Sequence, residues 1–303
     1  MSFDSIMNEK SERAKIFRDI LFVHKPHAHM FKTISGVQPF STTLIVDNKF
    51  KSGLQATRCG VAFHHAAQII IASVTANQIL TRDLPIYRRA HAVYTAGNLT
   101  EFYHETLGIW LRYLNACISK NHVQSTLKLA QACCFLSHTD TLPNMTYIRQ
   151  GICTVYEEDS EVVNVLKQLL DIFLATFIPA CVKVDSTIKF SPTFSDFPGS
   201  AKNEADVCVD NFLVDFKTSM YLNARWSIIA QIWFYYLMNE LEHPHTPYTK
   251  IGFYHARYGE TTYIDLDTIS SSVRQTASKD LKWWIDANRD AELFDTSKAA
   301  KHA

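Results

Sequence analysis

Glycine is scarce in this chain, 9 of 303 residues, under half the roughly 7% of an average globular protein. That shortage excludes collagen, a Gly/Ser linker and repeated glycine-rich phosphate loops. Cysteine offers no framework. The seven, at 59, 117, 133, 134, 153, 181 and 208, are odd in number, scattered and without a CxxC pair. Such a set fits reduced core thiols in a cytoplasmic protein and argues against a Cys-ligated zinc or iron–sulfur site. Long apolar runs are missing too. The longest, Trp226 to Met238, contains Gln231 and falls short of the roughly 20 residues of a membrane span, so it reads as a buried helix and no membrane partner is expected. The N-terminus mixes both charge signs and lacks the apolar segment of a signal peptide. Net charge is also absent: 30 Lys+Arg face 30 Asp+Glu, so the chain as a whole exerts no pull on a polyanion.

What is present suffices to bury a core. The chain is 47% hydrophobic and 20% charged, a globular profile rather than a disordered one, and its length allows one large domain or two ordinary ones. Helices are expected over 4–22, over 61–80 up to Asp83 and Pro85, from about Thr100 through Lys120, over 123–137, and from Ser160 to Phe177 before Pro179. After Cys181 the pattern changes. Residues 182–198 read as loop or short strand, broken by Pro192 and Pro198. Val207-Cys208-Val209 and Phe212-Leu213-Val214 flank Asp210-Asn211, the pattern of a two-residue hairpin. An apolar helix at 224–241, a second hairpin at 250–267 around Gly259 and a helix at 268–288 follow. The expectation is a mixed α/β fold whose sheet comes from the C-terminal third.

The segment that carries chemistry is Asp206, then Asp215-Phe216-Lys217. Asp206 begins the first strand of the hairpin and Asp215 ends the second, so the turn brings both carboxylates to its open end. Two close carboxylates ionise together only around a shared cation, and hard oxygen ligands suit Mg²⁺ or Mn²⁺. Lys217 lies two residues beyond Asp215, on the same strand face, where its ammonium can position a metal-bound water or stabilise a phosphorane-like transition state. This is the equipment of a phosphodiester-hydrolysing site. Gln231 and Tyr235 follow on one face of the next helix, at i and i+4. Upstream, Gly60 and His64 form G-x-x-x-H at the mouth of the 61–80 helix.

This ordered set, G-x-x-x-H, D, D-x-K and Q-x-x-x-Y, resembles the PD-(D/E)xK nuclease superfamily, specifically its RecB-like branch. The resemblance covers about 196–240 best, 58–70 and 250–267 less closely, and nothing else. It implies an α/β, restriction-endonuclease-like core, a mixed sheet flanked by helices, with a large N-terminal and inserted helical region. Its parts would be an arm at 1–57, a nuclease core at 58–80 plus 182–290, a helical insertion at 81–181 and a polar tail at 291–303. It further implies His64, Asp206, Asp215 and the Phe216 carbonyl as ligands of Mg²⁺ or Mn²⁺, Lys217 as the catalytic lysine, and Gln231 and Tyr235 as residues that orient the lysine or the DNA backbone. The expected activity is metal-dependent DNA hydrolysis leaving 5′-phosphates, in defence, phage or mobile-element DNA processing. No iron–sulfur cysteines and no helicase motif accompany the core, so any unwinding partner is a separate chain. The alternative is an inactive nucleic-acid- or protein-binding module on the same fold; a third reading is a helical interaction protein with an accidental D-x-K match.

Other residues were weighed beside these. Lys202, Arg225, Tyr221 and Trp226 flank the site as candidates to grip a backbone and stack a base, with Lys250 and Arg257 further out. Glu204 is a spare carboxylate two residues before Asp206. His24, His27 and His29 read as a solvated loop cluster, Glu101 and Glu105 as a solvated helix face, Cys133-Cys134 as core. The basic excess over 9–32 reads as the wet side of a helix or a phosphate-contacting arm.

Overall fold

The computed structural model describes residues 3–75, 84–95, 101–120, 122–141, 158–195, 197, 203–222 and 226–289. The chain opens with two helices, α1 (Phe3–Asn8) and α2 (Glu12–His24), where one was expected over 4–22. Ser11 makes the break: its side chain caps α2 by accepting from the Ala14 amide, an alternative to continuing the helix. Arg18 then folds back to donate to the carbonyls of Ile6, Met7 and Glu9. Next come α3 (Gly53–Val74), α4 (Pro85–Thr95), α5 (Glu101–Ser119), α6 (Thr126–Thr141) and α7 (Ser160–Cys181). A capping box between Ser52 and Gln55 starts α3 well before residue 61 and leaves His64 mid-helix, not at its mouth. The expected stop of α7 before Pro179 is also corrected: Pro179 lies inside the helix, where its missing N–H removes one bond from the last turn. Thr100, expected as a cap, lies outside the described residues, as do 76–80 and the tail at 291–303.

Six strands form one sheet. They are β1 (Lys32–Thr33), β2 (Ile188–Phe190), β5 (Val207–Val209), β6 (Phe212–Lys217), β7 (Lys250–His255) and β8 (Glu260–Asp265), in the order β1-β8-β7-β6-β5-β2. A separate pair, β3 (Thr193–Phe194) with β4 (Asn203–Glu204), stands beside it. All neighbours are antiparallel except β6 and β7. That parallel pair is joined across α8 (Trp226–Glu242), as a parallel connection requires. The chain's last described helix is α9 (Ser271–Asn288). Both expected hairpins form, β5–β6 around Asp210-Asn211 and β7–β8 ahead of Gly259. The sheet is wider than the C-terminal third, however: β1 and β2 cover its two edges, which would otherwise present unpaired backbone.

Two apolar layers sandwich the sheet. On one side Phe173 and Phe177 of α7 pack edge-on against Phe216 and Tyr254, while Phe63 of α3 meets Phe216 edge-on and stacks on Tyr254. On the other, Phe17, Trp233, Phe234 and Trp284 from α2, α8 and α9 gather with Leu213, Ile251 and Phe253. The arm at 1–57 is therefore integral: α2 packs on α9 and α8, and β1 joins the sheet. Likewise α7, placed in the expected insertion, supplies half of one core layer. Among the described residues one helix, α7, is long and apolar enough to cross a membrane; here Val162, Leu166, Leu169 and Phe173 are buried against neighbouring helices.

Candidate functional site: a buried carboxylate–lysine cluster at one end of the sheet

Alternation along β6 decides which residues meet. Val214 and Phe216 enter the α3/α7 layer and Leu213 the α8 layer, so Asp215 and Lys217 leave on the α8 side. The register Val207↔Val214 brings Asp206, one residue before β5, alongside Asp215 and Phe216. The Phe216 amide donates to Asp206 Oδ2 at 2.5 Å. N–H and C=O of one strand residue face the same edge, so the Phe216 carbonyl also points towards Asp206.

Three elements converge on this strand end. From α3, His64 Nδ1 lies 2.8 Å from Asp206 Oδ1. From β6, Lys217 Nζ lies 2.5 Å from Asp215 Oδ2. From α8, Gln231 Oε1 accepts from Lys217 Nζ at 3.0 Å, and Gln231 Nε2 donates to the Tyr235 hydroxyl at 3.2 Å. Tyr235 stacks on Phe194. Gly60 has a local reason to be glycine: a Cβ there would come within 3.2 Å of Thr218 Oγ1, just beyond the lysine. Its absence lets α3 approach close enough for His64, one turn on, to reach Asp206.

Sequence reasoning missed two polar residues. Gln68 is fully buried; its Nε2 donates to Ser191 Oγ and the Asp206 carbonyl and meets His64 Nε2 at 3.0 Å. Both ring nitrogens of His64 thus have partners, Asp206 on one side and Gln68 on the other. The signal for Gln68 was a lone amide one turn after His64 inside AAQIII. His255, a Cα partner of Lys217, hid in the apolar alternation of β7.

Burial sets the electrostatics. Asp215 is pushed up to about 6, first by burial and then by the Asp206 charge, against the pull of Lys217. Burial also acts to raise Asp206, but His64, the Phe216 amide and Lys217 outweigh it and hold the group below the usual carboxylate range. For His64, burial is opposed by Asp206, Glu204 and Asp215, and the net direction is upward.

The other candidates scatter. Tyr221 is 71% exposed and Trp226 39%; Trp226 meets Phe22 edge-on. Lys202 and Arg225 lie outside the described residues. Arg257 cannot grip a backbone: it is buried and donates to the carbonyls of Val46, Asn48 and Thr218. Lys250 stands at the opposite end of β7, 3.8 Å from Asp265. His24 is tied to Asp280, and His27 stacks on His29. A cleft of about 430 Å³ also lies at that far end, lined by Asp210, Asn211, Lys250 and Tyr263, away from the cluster.

Among the described residues no group of three or more His, Cys, Asp or Glu side chains is arranged to hold a metal. The donor set still fits a cation with few protein ligands. Asp215 Oδ2 is buried, and among the described residues its partner is the Lys217 ammonium. Mg²⁺ is commonly held by one or two carboxylates and keeps several waters. No protein-family model matches the chain, and neither the curated proteins nor the solved structures yield a match.

Proposed function

We propose that this protein is a Mg²⁺- or Mn²⁺-dependent deoxyribonuclease on a restriction-endonuclease-like core. The observation that carries the reading is Lys217 Nζ, 2.5 Å from the buried Asp215 and braced by Gln231, beside a second, partly exposed aspartate, Asp206. Holding two carboxylates side by side at a largely dry strand end is expensive, and a cation-dependent reaction gives the arrangement a use.

Asp206 and Asp215 would hold the cation, with the Phe216 carbonyl at the same strand edge. A bound Mg²⁺ or Mn²⁺ supplies a water of lowered pKa and neutralises charge on the phosphate. His64 and Gln68 keep Asp206 in place. Lys217, steered by Gln231 and Tyr235, stands where charge develops on the attacked phosphate and stabilises it. Tyr221 and Trp226, both exposed, are the aromatic groups proposed to stack a base. With zero net charge, affinity for DNA is weak and sensitive to salt, and a separate partner chain would supply any unwinding.

The test is cleavage of linear and circular, single- and double-stranded DNA with and without Mg²⁺ or Mn²⁺, beside Lys217→Ala. Cleavage that needs the metal and disappears in the variant is expected. Metal-independent cleavage, or equal cleavage by the variant, would sink the mechanism. Binding without cleavage would favour the inactive module.

A further inference from the structure

His255 stands next to Lys217 across the parallel pair of β6 and β7, so the two side chains leave the sheet on the same face. It is 5% exposed. Phe253 lies tilted against its ring, and Phe40 meets it edge-on at 6.0 Å. Phe40 adopts a φ of 60°, uncommon for a non-glycine residue. The imidazole is neutral near pH 7, since burial, helped by the Lys217 charge, pushes its pKa down to about 4. Its Nε2 is buried and, among the described residues, has no hydrogen-bond partner. Proteins rarely leave such an atom unsatisfied unless it serves another state.

The neighbouring lysine supplies that other state. Lys217 Nζ sits between Asp215 Oδ2 and Gln231 Oε1. A cation at the two carboxylates competes with the ammonium for Asp215. The displaced ammonium then needs a neutral acceptor on the same sheet face, and an imidazole lone pair stands one strand away.

We propose that His255 is a positioning residue for Lys217, its Nε2 accepting the lysine's hydrogen bond once Asp215 turns to a cation. Its catalytic consequence rests on the nuclease reading; the lysine–histidine contact rests only on the cation site within that reading, not on cleavage.

The contact is tested in full-length protein with ¹⁵N-labelled histidine, titrated with Mg²⁺ and followed by long-range ¹H–¹⁵N spectra. The His255 Nε2 resonance should shift towards hydrogen-bonded values in the wild type and stay still in Lys217→Met. A resonance that does not move, or that moves equally in both proteins, overturns the proposal. The consequence is tested by kinetics. His255→Phe should lower kcat about ten- to a hundredfold with KM little changed, the loss expected of one hydrogen bond to a charged group. His255→Gln, which keeps an acceptor near the same position, should restore most of it. Equal kcat in wild type and His255→Phe overturns the proposal. Should the wild type cleave no DNA, the nuclease reading fails and the spectra alone decide the contact, as they also do if His255→Phe does not fold.

Discussion

The two ends of strand β6 hold polar residues in opposite circumstances. At the turn, Asp210 is exposed, and its carboxylate accepts from Ser186 Oγ and the Thr187 amide. It keeps a φ of 54°, a conformation that Asp tolerates better than most residues. The wide cleft opens beside it. At the other end, Asp215 and His255 are each 5% exposed, a buried oxygen of one rests on Lys217, and a buried nitrogen of the other has no partner among the described residues. Satisfied polar groups in water build a turn; strained ones out of water mark chemistry. The cleft and the cluster therefore lie at opposite ends of the strand, and the proposed chemistry sits at the cluster.

That contrast can be broken by substitution. The largest expected effect is Asp215→Asn: cleavage should fall by about a hundredfold or more, while the melting temperature above pH 6 changes little, because relief of a costly buried charge and loss of its ion pair with Lys217 act in opposite directions. A large loss of stability with cleavage retained would reverse the assignment of roles.

His255 gives the next effect through pH. Its folded-state pKa, about 4, lies below the ordinary 6.5. Its contribution to stability is complete above pH 6.5 and is lost as pH falls through 4, to the extent of roughly 3 kcal/mol. Denaturant titrations of wild type and His255→Gln should therefore diverge with acid, the variant losing less; parallel curves would show that the imidazole is not held neutral.

At the turn end, Asp210→Ala should cost about 1–2 kcal/mol through its lost hydrogen bonds and leave the cleavage rate alone. Smallest of all, Lys250→Ala removes a half-exposed lysine 3.8 Å from Asp265; stability should change by no more than about 0.5 kcal/mol, again with unchanged cleavage. A cleavage defect in either variant would move the active end to the cleft.

Much of this arrangement is legible in the chain because it depends on neighbours in sequence. Asp210-Asn211 between two apolar triplets sets the hairpin register, and that register alone carries Asp206 to Asp215. The two-residue step from Asp215 puts Lys217 on the same face, and the four-residue step from Gln231 puts Tyr235 within 3.2 Å of it. Helix ends were read less well. Ser11 and the Ser52/Gln55 box act through a side chain reaching a backbone amide three residues on, a short signal easily lost among other polar residues, and Pro179 was given more power than a last turn allows.

Composition, periodicity and turn chemistry thus determined most of the helices, both hairpins and the residues proposed to hold a cation. Tertiary structure decided the rest. Only packing could close the sheet with β1 and β2 from distant segments, bury Arg257 as a clamp on three carbonyls, and engage both nitrogens of His64. Only a parallel pairing across α8 could set His255 beside Lys217. The physical reason is range: turns and strand faces are fixed by residues a few positions apart, whereas burial, the force that perturbs these side chains, depends on what the far chain lays over them.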